Sequence, residues 1–101
     1  NAHNSLGVAL ESKGEVVEAI KEFREAIRLK PDFAEAHNNL GNAYLAQGRR
    51  DEAIAEFLTA VRLQPASPEF HYNLGNAYLG HDRLDEAIAL HVDAAAALAS
   101  A

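Results

Sequence analysis

The side chains that could support acid–base or metal chemistry in this 101-residue sequence are five histidines and fifteen acidic residues. His3, His37 and His71 recur at one constant interval along the chain. If this interval reflects repeated helices, successive histidines stand about one helix spacing apart, roughly 8–10 Å. A zinc ion requires its nitrogen ligands at about 2.1 Å, so the three rings cannot share one metal. We therefore predict that these histidines fill packing positions, and we expect no metal site and no cofactor.

Catalytic arrangements are equally hard to find in the sequence. The pairs His81–Asp82 and His91–Asp93 lack the His-Glu-x-x-His spacing of a zinc hydrolase. No serine has a readable base and orienting acid, the glycines are separated by whole predicted helices, and cysteine is absent. The carboxylates fall among the charges of predicted helix surfaces. We predict that this chain is not an enzyme and has no catalytic residue.

The charge balance narrows the class of partner. Nine Lys and Arg residues against fifteen Asp and Glu residues give a formal net charge of −6. Without a basic stripe, neither nucleic acid nor an anionic membrane surface is an expected partner. No apolar run reaches the roughly 20 residues of a membrane-spanning helix. The sequence also lacks methionine, even at residue 1, which suggests a segment of a longer protein. We expect a soluble chain and favour the cytoplasm.

A repeated stretch organises the chain. Residues 37–45 read HNNLGNAYL and residues 71–79 read HYNLGNAYL, 34 positions apart. The same period divides the sequence into three copies, which we predict to form a single domain over residues 1–101. The copies span residues 1–33, 34–67 and 68–101, the last with a degenerate, Ala-rich end.

Each copy has the pattern of two helices, which is clearest in copy two. Its first helix has one face marked at i, i+3, i+4 and i+7, by His37, Leu40, Gly41 and Tyr44. Gly48 then breaks the pattern, as expected of a C-cap residue with positive φ, and Pro65 stops the second helix. The stripe of that second helix comprises Arg50, Ala53, Ile54, Phe57, Ala60 and Val61. Asp32 and Ser67 are the predicted N-caps before copies two and three.

This arrangement resembles the tetratricopeptide repeat, in which Leu-Gly, Tyr, Ala-x-x-x-Phe and Pro recur with a 34-residue period. The resemblance covers all three copies and implies an all-α solenoid of three antiparallel helix pairs that form a right-handed superhelix. The sequence departs from the family pattern at a few places. His3, His37 and His71 replace an early aromatic residue, Leu10 replaces the first Tyr, and His91 replaces the later Phe in copy three.

Glycine and asparagine are poor residues for a helix interior, so their repetition needs an explanation. Gly7, Gly41 and Gly75 are expected to let one helix backbone approach another, and Gly41→Leu should destabilise the fold by overpacking. The asparagines lie away from the apolar stripe. Because the resemblance implies that the first helices line the concave side, we predict that the asparagines face a peptide-binding groove. In copies two and three the groove residues are Glu35, Asn38, Asn39, Asn42, Leu45, Glu69, Tyr72, Asn73, Asn76 and Leu79. Copy one adds Asn1, Asn4, Ser5, Val8 and Glu11.

The predicted function follows from the chemistry of these side chains. An Asn carboxamide has one acceptor and two N–H donors, the complement of a peptide unit. We therefore predict a protein–protein interaction scaffold whose asparagines bind the backbone of an extended or helical segment of a partner protein, while Tyr72, Leu45 and Leu79 add apolar contacts. The alternative is that the asparagines are merely solvated surface residues.

Chaperone-binding members of the family hold a C-terminal carboxylate with Lys, Arg and Asn side chains. At the basic places of that clamp this sequence has Asn4, Glu69 and Asn73. No Lys or Arg occupies a predicted groove position, so we do not expect carboxylate capture.

Two other functions stay open at this point. The column of Asn39 and Asn73, which Ser5 interrupts, is similar to one in the tetratricopeptide superhelix of O-linked N-acetylglucosamine transferases. A substrate-docking or regulatory segment of a larger enzyme, such as a glycosyltransferase, is therefore an alternative. Self-association through the Ala-rich last helix is a third, because terminal repeats generally need a polar cap.

Overall fold

The structure, a computed structural model, describes residues 1–79, which form five α-helices. These are α1 (Ala2–Ser12), α2 (Val16–Leu29), α3 (Ala34–Ala46), α4 (Arg50–Leu63) and α5 (Pro68–Leu79). No β-strand occurs in these residues. The predicted helices of copies one and two are confirmed, as is the helix that opens copy three. The predicted second helix of copy three, with His91 and the Ala-rich run, lies outside the described residues.

The contacts between helices show which side of the array is more tightly packed. α1 packs on α2 and α3 packs on α4, and each second helix also packs on the first helix that follows it. The first helices contact one another, α1 with α3 and α3 with α5, whereas the backbones of α2 and α4 do not meet. A cavity of about 280 Å³ opens between α2, α3 and α4. The first helices therefore form the inner, more tightly spaced side of the array.

A smaller buried cluster contains Ala34, Ala60 and Phe70, while the main cluster of the core runs from α2 to α5. Its buried members come from α2, α3, α4 and α5, and Leu10 of α1 packs against it. Fully buried alanines stand between the larger residues, so neighbouring helices approach closely. These alanines include Ala19, Ala26, Ala53 and Ala60.

The turns inside the helix pairs depend on two glycines. Gly14 and Gly48 have φ values of +81° and +74°, in the left-handed region that residues with a Cβ rarely adopt. After α3 the N–H of Arg49 donates to the carbonyl of Tyr44 at 2.9 Å, and the N–H of Gly48 donates to that of Leu45 at 2.9 Å. This is the Schellman pattern of helix termination. The prediction that Gly48 ends its helix at positive φ is confirmed.

Of the two predicted N-cap residues, one caps its helix and the other does not. Ser67 caps α5, because its hydroxyl accepts the N–H of Phe70 at 3.4 Å, and Pro68 is the first helical residue. The prediction for Asp32 is wrong. The N-cap residue of α3 is Phe33, which makes no side-chain cap hydrogen bond. The reason is register, since Phe33 and not Asp32 stands one full repeat before Ser67.

The closest packing within each pair is a phenylalanine ring against a glycine. Phe23 and Phe57 are fully buried. A Cβ atom on Gly7 would lie 2.5 Å from Cε1 of Phe23, and one on Gly41 would lie 2.6 Å from Cε1 of Phe57. The expected role of these glycines is therefore corrected. Each makes room for an aromatic ring of the other helix in its own pair, rather than for a neighbouring backbone.

His37 lies buried between two oxygen acceptors. Its Nδ1 is 2.8 Å from Oε1 of Glu56, and its Nε2 is 2.8 Å from the carbonyl oxygen of Pro31. The first contact recurs in the preceding pair, where Nδ1 of His3 is 2.8 Å from Oε1 of Glu22. The packing role predicted for the three histidines is confirmed for His37, whose ring also links α3 to α4 and to the preceding loop, whereas His3 is half-buried and His71 is exposed.

We expect Gly41→Ala to destabilise the fold even though alanine is the better helix former. Helix propensity favours Ala over Gly by roughly 1 kcal/mol, whereas an added methyl group in a filled core costs typically ~1–3 kcal/mol. The free energy of unfolding, measured by urea denaturation, should therefore fall by about 1 kcal/mol. Adding Phe57→Leu to this variant should cost less than Phe57→Leu costs alone, because the smaller side chain relieves the clash. A Gly41→Ala variant as stable as the parent would show that the ring does not limit packing.

Candidate peptide-binding groove

The inner side of the array is formed by α1, α3 and α5, which lie side by side. The predicted groove residues fall into three classes of exposure on these helices. Asn4 and Asn38 are buried. Glu11, Asn39, Asn42, Leu45 and Asn73 are half-buried. Asn1, Ser5, Val8, Glu35, Glu69, Tyr72, Asn76 and Leu79 are exposed.

Pairs of asparagines link neighbouring first helices. Nδ2 of Asn39 on α3 donates to Oδ1 of Asn4 on α1 at 3.0 Å. One period later, Nδ2 of Asn73 on α5 donates to Oδ1 of Asn38 on α3 at 2.9 Å. Each bond joins positions i and i+35 of the sequence, so the same amide link holds successive first helices together. Sequence reasoning missed these links, although the recurrence of Asn at this interval was a visible signal.

Asn38 belongs to the interior and not to an open groove surface. Its side chain is 1% exposed and is among the largest fully buried side chains. A buried carboxamide needs hydrogen-bond partners, and the amide of Asn73 supplies one. Packing between the first helices therefore accounts for Asn38, and also for Asn4, which is buried in the same way.

Two other asparagines keep their amides available. Asn42 on α3 and Asn76 on α5 occupy the same place in successive repeats. Asn42 is half-buried and Asn76 is exposed. Neither side chain makes a hydrogen bond to any residue within the described range 1–79. Their donors and acceptors are thus open to a ligand on the inner side of the array.

Apolar side chains accompany these amides. Leu45 and Leu79 follow Asn42 and Asn76 by three positions, one helical turn along the same face. Tyr72 occupies the place in α5 that Asn38 has in α3, but it is 68% exposed. A solvent-facing tyrosine combines a large apolar ring with a hydroxyl, and such residues are enriched where proteins bind one another.

The charge on this surface is negative. Glu11, Glu35 and Glu69 are its charged side chains, and none of the predicted groove positions has Lys or Arg. Burial raises the pKa of the Glu11 carboxyl above its ordinary value of 4.5, because the ionised form loses water contacts. No basic side chain within residues 1–79 forms an ion pair with it.

Residues 1–79 contain no group of three or more His, Cys, Asp or Glu side chains arranged to hold a metal ion. A membrane crossing needs a longer and more apolar helix than any of the five described here.

Sequence comparison identifies the family. A family model described as "TPR repeat" matches residues 9–48 and 41–82, two overlapping segments that cover most of the chain. The chain belongs to the tetratricopeptide repeat family. The predicted all-α tetratricopeptide solenoid is therefore confirmed, with the Gly–Phe contact and the glycine turns as its local framework. No curated protein matches the sequence.

Solved structures of other proteins share this fold. Two crystal structures of MamA are 31% identical to the chain, with TM-scores of 0.81 and 0.82 over 86% of its length. The chain spans about half of those proteins, 51% and 48% respectively. The first TPR of Spaghetti (RPAP3), bound to the HSP90 peptide SRMEEVD, is 21% identical with a TM-score of 0.80 over 85% of this chain and 70% of that one. The last likeness is one of fold alone.

The amide links predict a contrast between two asparagines of α3. Asn38→Ala removes a buried acceptor and leaves the amide of Asn73 without its partner, so the free energy of unfolding should fall by about 1–3 kcal/mol. Asn42→Ala is the matched control, since its side chain makes no hydrogen bond within residues 1–79, and it should change stability by less than about 0.5 kcal/mol. Urea denaturation of both variants measures the difference. Equal effects would mean that the Asn38–Asn73 bond does not stabilise the array.

The partly buried position of Glu11 predicts that removing its charge raises the free energy of unfolding, by an amount that depends on pH. A carboxyl whose pKa is raised in the folded state destabilises that state when ionised, so the penalty is present at neutral pH and disappears as the pH falls below 4.5. Glu11→Gln should therefore stabilise the fold at neutral pH, by less than about 0.5 kcal/mol for a partly exposed group, and the gain should vanish in acid. Glu35→Gln, which removes an exposed charge, is the control. A gain that is independent of pH would contradict the desolvation of Glu11.

Proposed function

We propose that this chain is a protein–protein interaction scaffold that binds an extended or helical segment of a partner along the inner faces of α1, α3 and α5. The observation that carries the proposal is the pair of open amides, Asn42 and Asn76, which recur at the same place on successive helices. Membership of the tetratricopeptide family, together with a peptide-bound neighbour of the same fold, supports protein segments as the class of ligand.

The spacing of the two amides suits a peptide backbone. Adjacent packed helices lie about 8–10 Å apart, and an extended chain rises about 3.3 Å per residue. Asn42 and Asn76 would therefore contact peptide units about three residues apart. Each amide can donate to a carbonyl and accept from an N–H, which gives affinity with little dependence on the ligand's side chains.

The linked asparagines supply rigidity to the same surface. Asn39 and Asn73 are each held by a bond to the preceding first helix, so their orientation is set before a ligand arrives. Pre-ordered side chains lose less conformational entropy on binding. In this proposal they are supporting groups, while Asn42 and Asn76 make the direct contacts and Tyr72, Leu45 and Leu79 provide apolar area.

The division of the chain into repeats and the two alternative functions also remain proposals. We retain three copies at residues 1–33, 34–67 and 68–101, of which α5 opens the third. A docking segment of a larger enzyme such as a glycosyltransferase would use the same inner face, and no contact in residues 1–79 favours it over a simple scaffold. The proposed self-association through the Ala-rich run concerns residues outside the described range.

The groove assignment is tested by removing the open amides. A peptide selected from a phage-displayed random library against the chain should bind with at least tenfold lower affinity to the double variant Asn42→Ala, Asn76→Ala, a loss of about 1.4 kcal/mol. Gln64→Ala, which removes an exposed amide outside the helices, is the matched control. Titration calorimetry gives both affinities, and circular dichroism verifies the fold. Unchanged affinity in the folded double variant would refute the assignment.

The charge of the groove gives an independent prediction. The peptide SRMEEVD, seen bound to the Spaghetti neighbour, carries acidic side chains and a terminal carboxylate. Our groove residues include three glutamates and no cation, so this peptide should show no saturable binding at low salt, where charge effects are largest. Saturable binding that Asn42→Ala weakens would show that neutral amides suffice for carboxylate recognition here.

A further inference from the structure

A cavity on the side of the second helices has no part in the proposed peptide groove. It has a volume of about 280 Å³ and lies between α2, α3 and α4, whereas the groove follows the inner face of the first helices. Its lining residues are Arg24, Ile27, Arg28, His37, Leu40, Tyr44 and Glu56. Apolar side chains and a few charged groups thus meet in one concave site, a combination that is common in sites for small ligands.

One charged member of this lining is not required by the repeat. Leu40 recurs as Leu74 one period later, as the packing of the core requires. Arg24 is instead followed at its equivalent place in α4 by Leu58, which packs against the core cluster. A leucine therefore suits this place in a second helix, and stacking of the helices does not explain the arginine.

The guanidinium group of Arg24 is available to a ligand. It is exposed and makes no hydrogen bond or ion pair with any of the described residues. The pKa of the Glu52 carboxyl on α4 is lowered chiefly by its hydrogen bond with Arg49, and to a smaller extent by the charge of Arg24. Arg24 thus carries a charge that no acidic group in this part of the chain neutralises by direct contact.

The lining as a whole has a surplus of positive charge. Arg28 lies one helical turn after Arg24 and is held by Glu25, whose Oε1 accepts a hydrogen bond from its Nε at 3.0 Å. Glu56 is the one carboxylate of the lining, and its Oε1 is 2.8 Å from Nδ1 of His37. With His37 counted as neutral, two guanidinium groups face a single carboxylate, although the whole chain has a formal net charge of −6. The cavity therefore favours an anion where the chain as a whole repels one.

A tyrosine hydroxyl adds a further polar group. Tyr44 is 6% exposed, and Cζ of Arg49 lies 4.4 Å from the centre of its ring. Its hydroxyl makes no hydrogen bond with any of the described residues, although a tyrosine hydroxyl in a buried setting usually finds a partner. Ile27 and Leu40 supply apolar surface to the same cavity.

We infer that the cavity between α2, α3 and α4 binds a small ligand in which a carboxylate is joined to an apolar body the size of one ring. The guanidinium of Arg24 donates charge-assisted hydrogen bonds to the carboxylate, the hydroxyl of Tyr44 donates another, and Ile27 and Leu40 pack against the ring. The size is suitable, because an apolar cavity of about 150 Å³ holds benzene and this one has about 280 Å³.

The test titrates benzoate into the intact chain and follows the methyl groups by NMR. We expect saturable shifts at Ile27 and Leu40, and none at Leu6, an exposed leucine on α1. Arg24→Leu, which introduces the residue found at the same place in α4, should raise the dissociation constant roughly tenfold. Arg62→Leu removes an exposed arginine of α4 that does not line the cavity. It is the matched control and should leave the affinity unchanged.

The outcomes that would overturn the inference need no altered chain. Benzyl alcohol has the ring without the charge, and acetate has the carboxylate without the ring, so each should bind the parent chain roughly tenfold more weakly than benzoate. Equal binding of either compound would show that the cavity does not select this class of ligand. Equal losses from Arg24→Leu and Arg62→Leu would mean that benzoate is attracted by surface arginines in general.

The cavity and the peptide groove are judged separately. The groove variant Asn42→Ala, Asn76→Ala should bind benzoate with the affinity of the parent chain, because neither residue lines the cavity. Arg24→Leu should likewise leave the binding of the library-selected peptide unchanged. A loss of benzoate binding in the groove variant would place the ligand on the inner face and would overturn the cavity assignment.

Discussion

A phenylalanine ring packed against a glycine fixes each of the two helix pairs within residues 1–79, and the remaining geometry depends on that contact. Without a Cβ atom at Gly7 or Gly41, the rings of Phe23 and Phe57 occupy the space that a side chain would fill. The ring therefore fixes the distance between the two helices of the pair. A larger residue would push them apart and would shift the first helices relative to one another. The amide links between those helices require contacts of about 3 Å, so they tolerate little displacement.

The curvature of the array comes from the difference between its two layers. Short amide side chains join α1 to α3 and α3 to α5, and a short link needs close helices. Within residues 1–79 the second helices, α2 and α4, share no such bond, and a cavity of about 280 Å³ separates them beside α3. Close spacing on one side and wide spacing on the other bends the stack toward the first helices. The asparagine links thus hold the first helices close together on the side where we propose the groove.

Features decided within one helix could be predicted from the sequence, and features decided between helices could not. The end of α3 at the Gly48 turn and the end of α4 before Pro65 follow from local backbone preference. The burial of Asn38 depends on Asn73, on the next first helix, and the role of Gly41 depends on a ring in the other helix of its pair. Aspartate is a favourable N-cap residue, but the repeat places Phe33 and not Asp32 at the N-cap position of α3. Which groove residues contact a partner stays a prediction.

The one difference between the repeated stretches, Asn38 against Tyr72, has a structural meaning as well as a chemical one. The carboxamide of Asn38 accepts the amide of the following first helix in a buried interface. A tyrosine ring at that place would put its hydroxyl several ångströms farther out and could not reproduce the same short, buried link. Tyr72 therefore differs from Asn38 in the chemistry that it places at the same point of a first helix. Because the ring of Tyr72 is exposed, it could offer an aromatic contact beside Asn76 in the proposed groove.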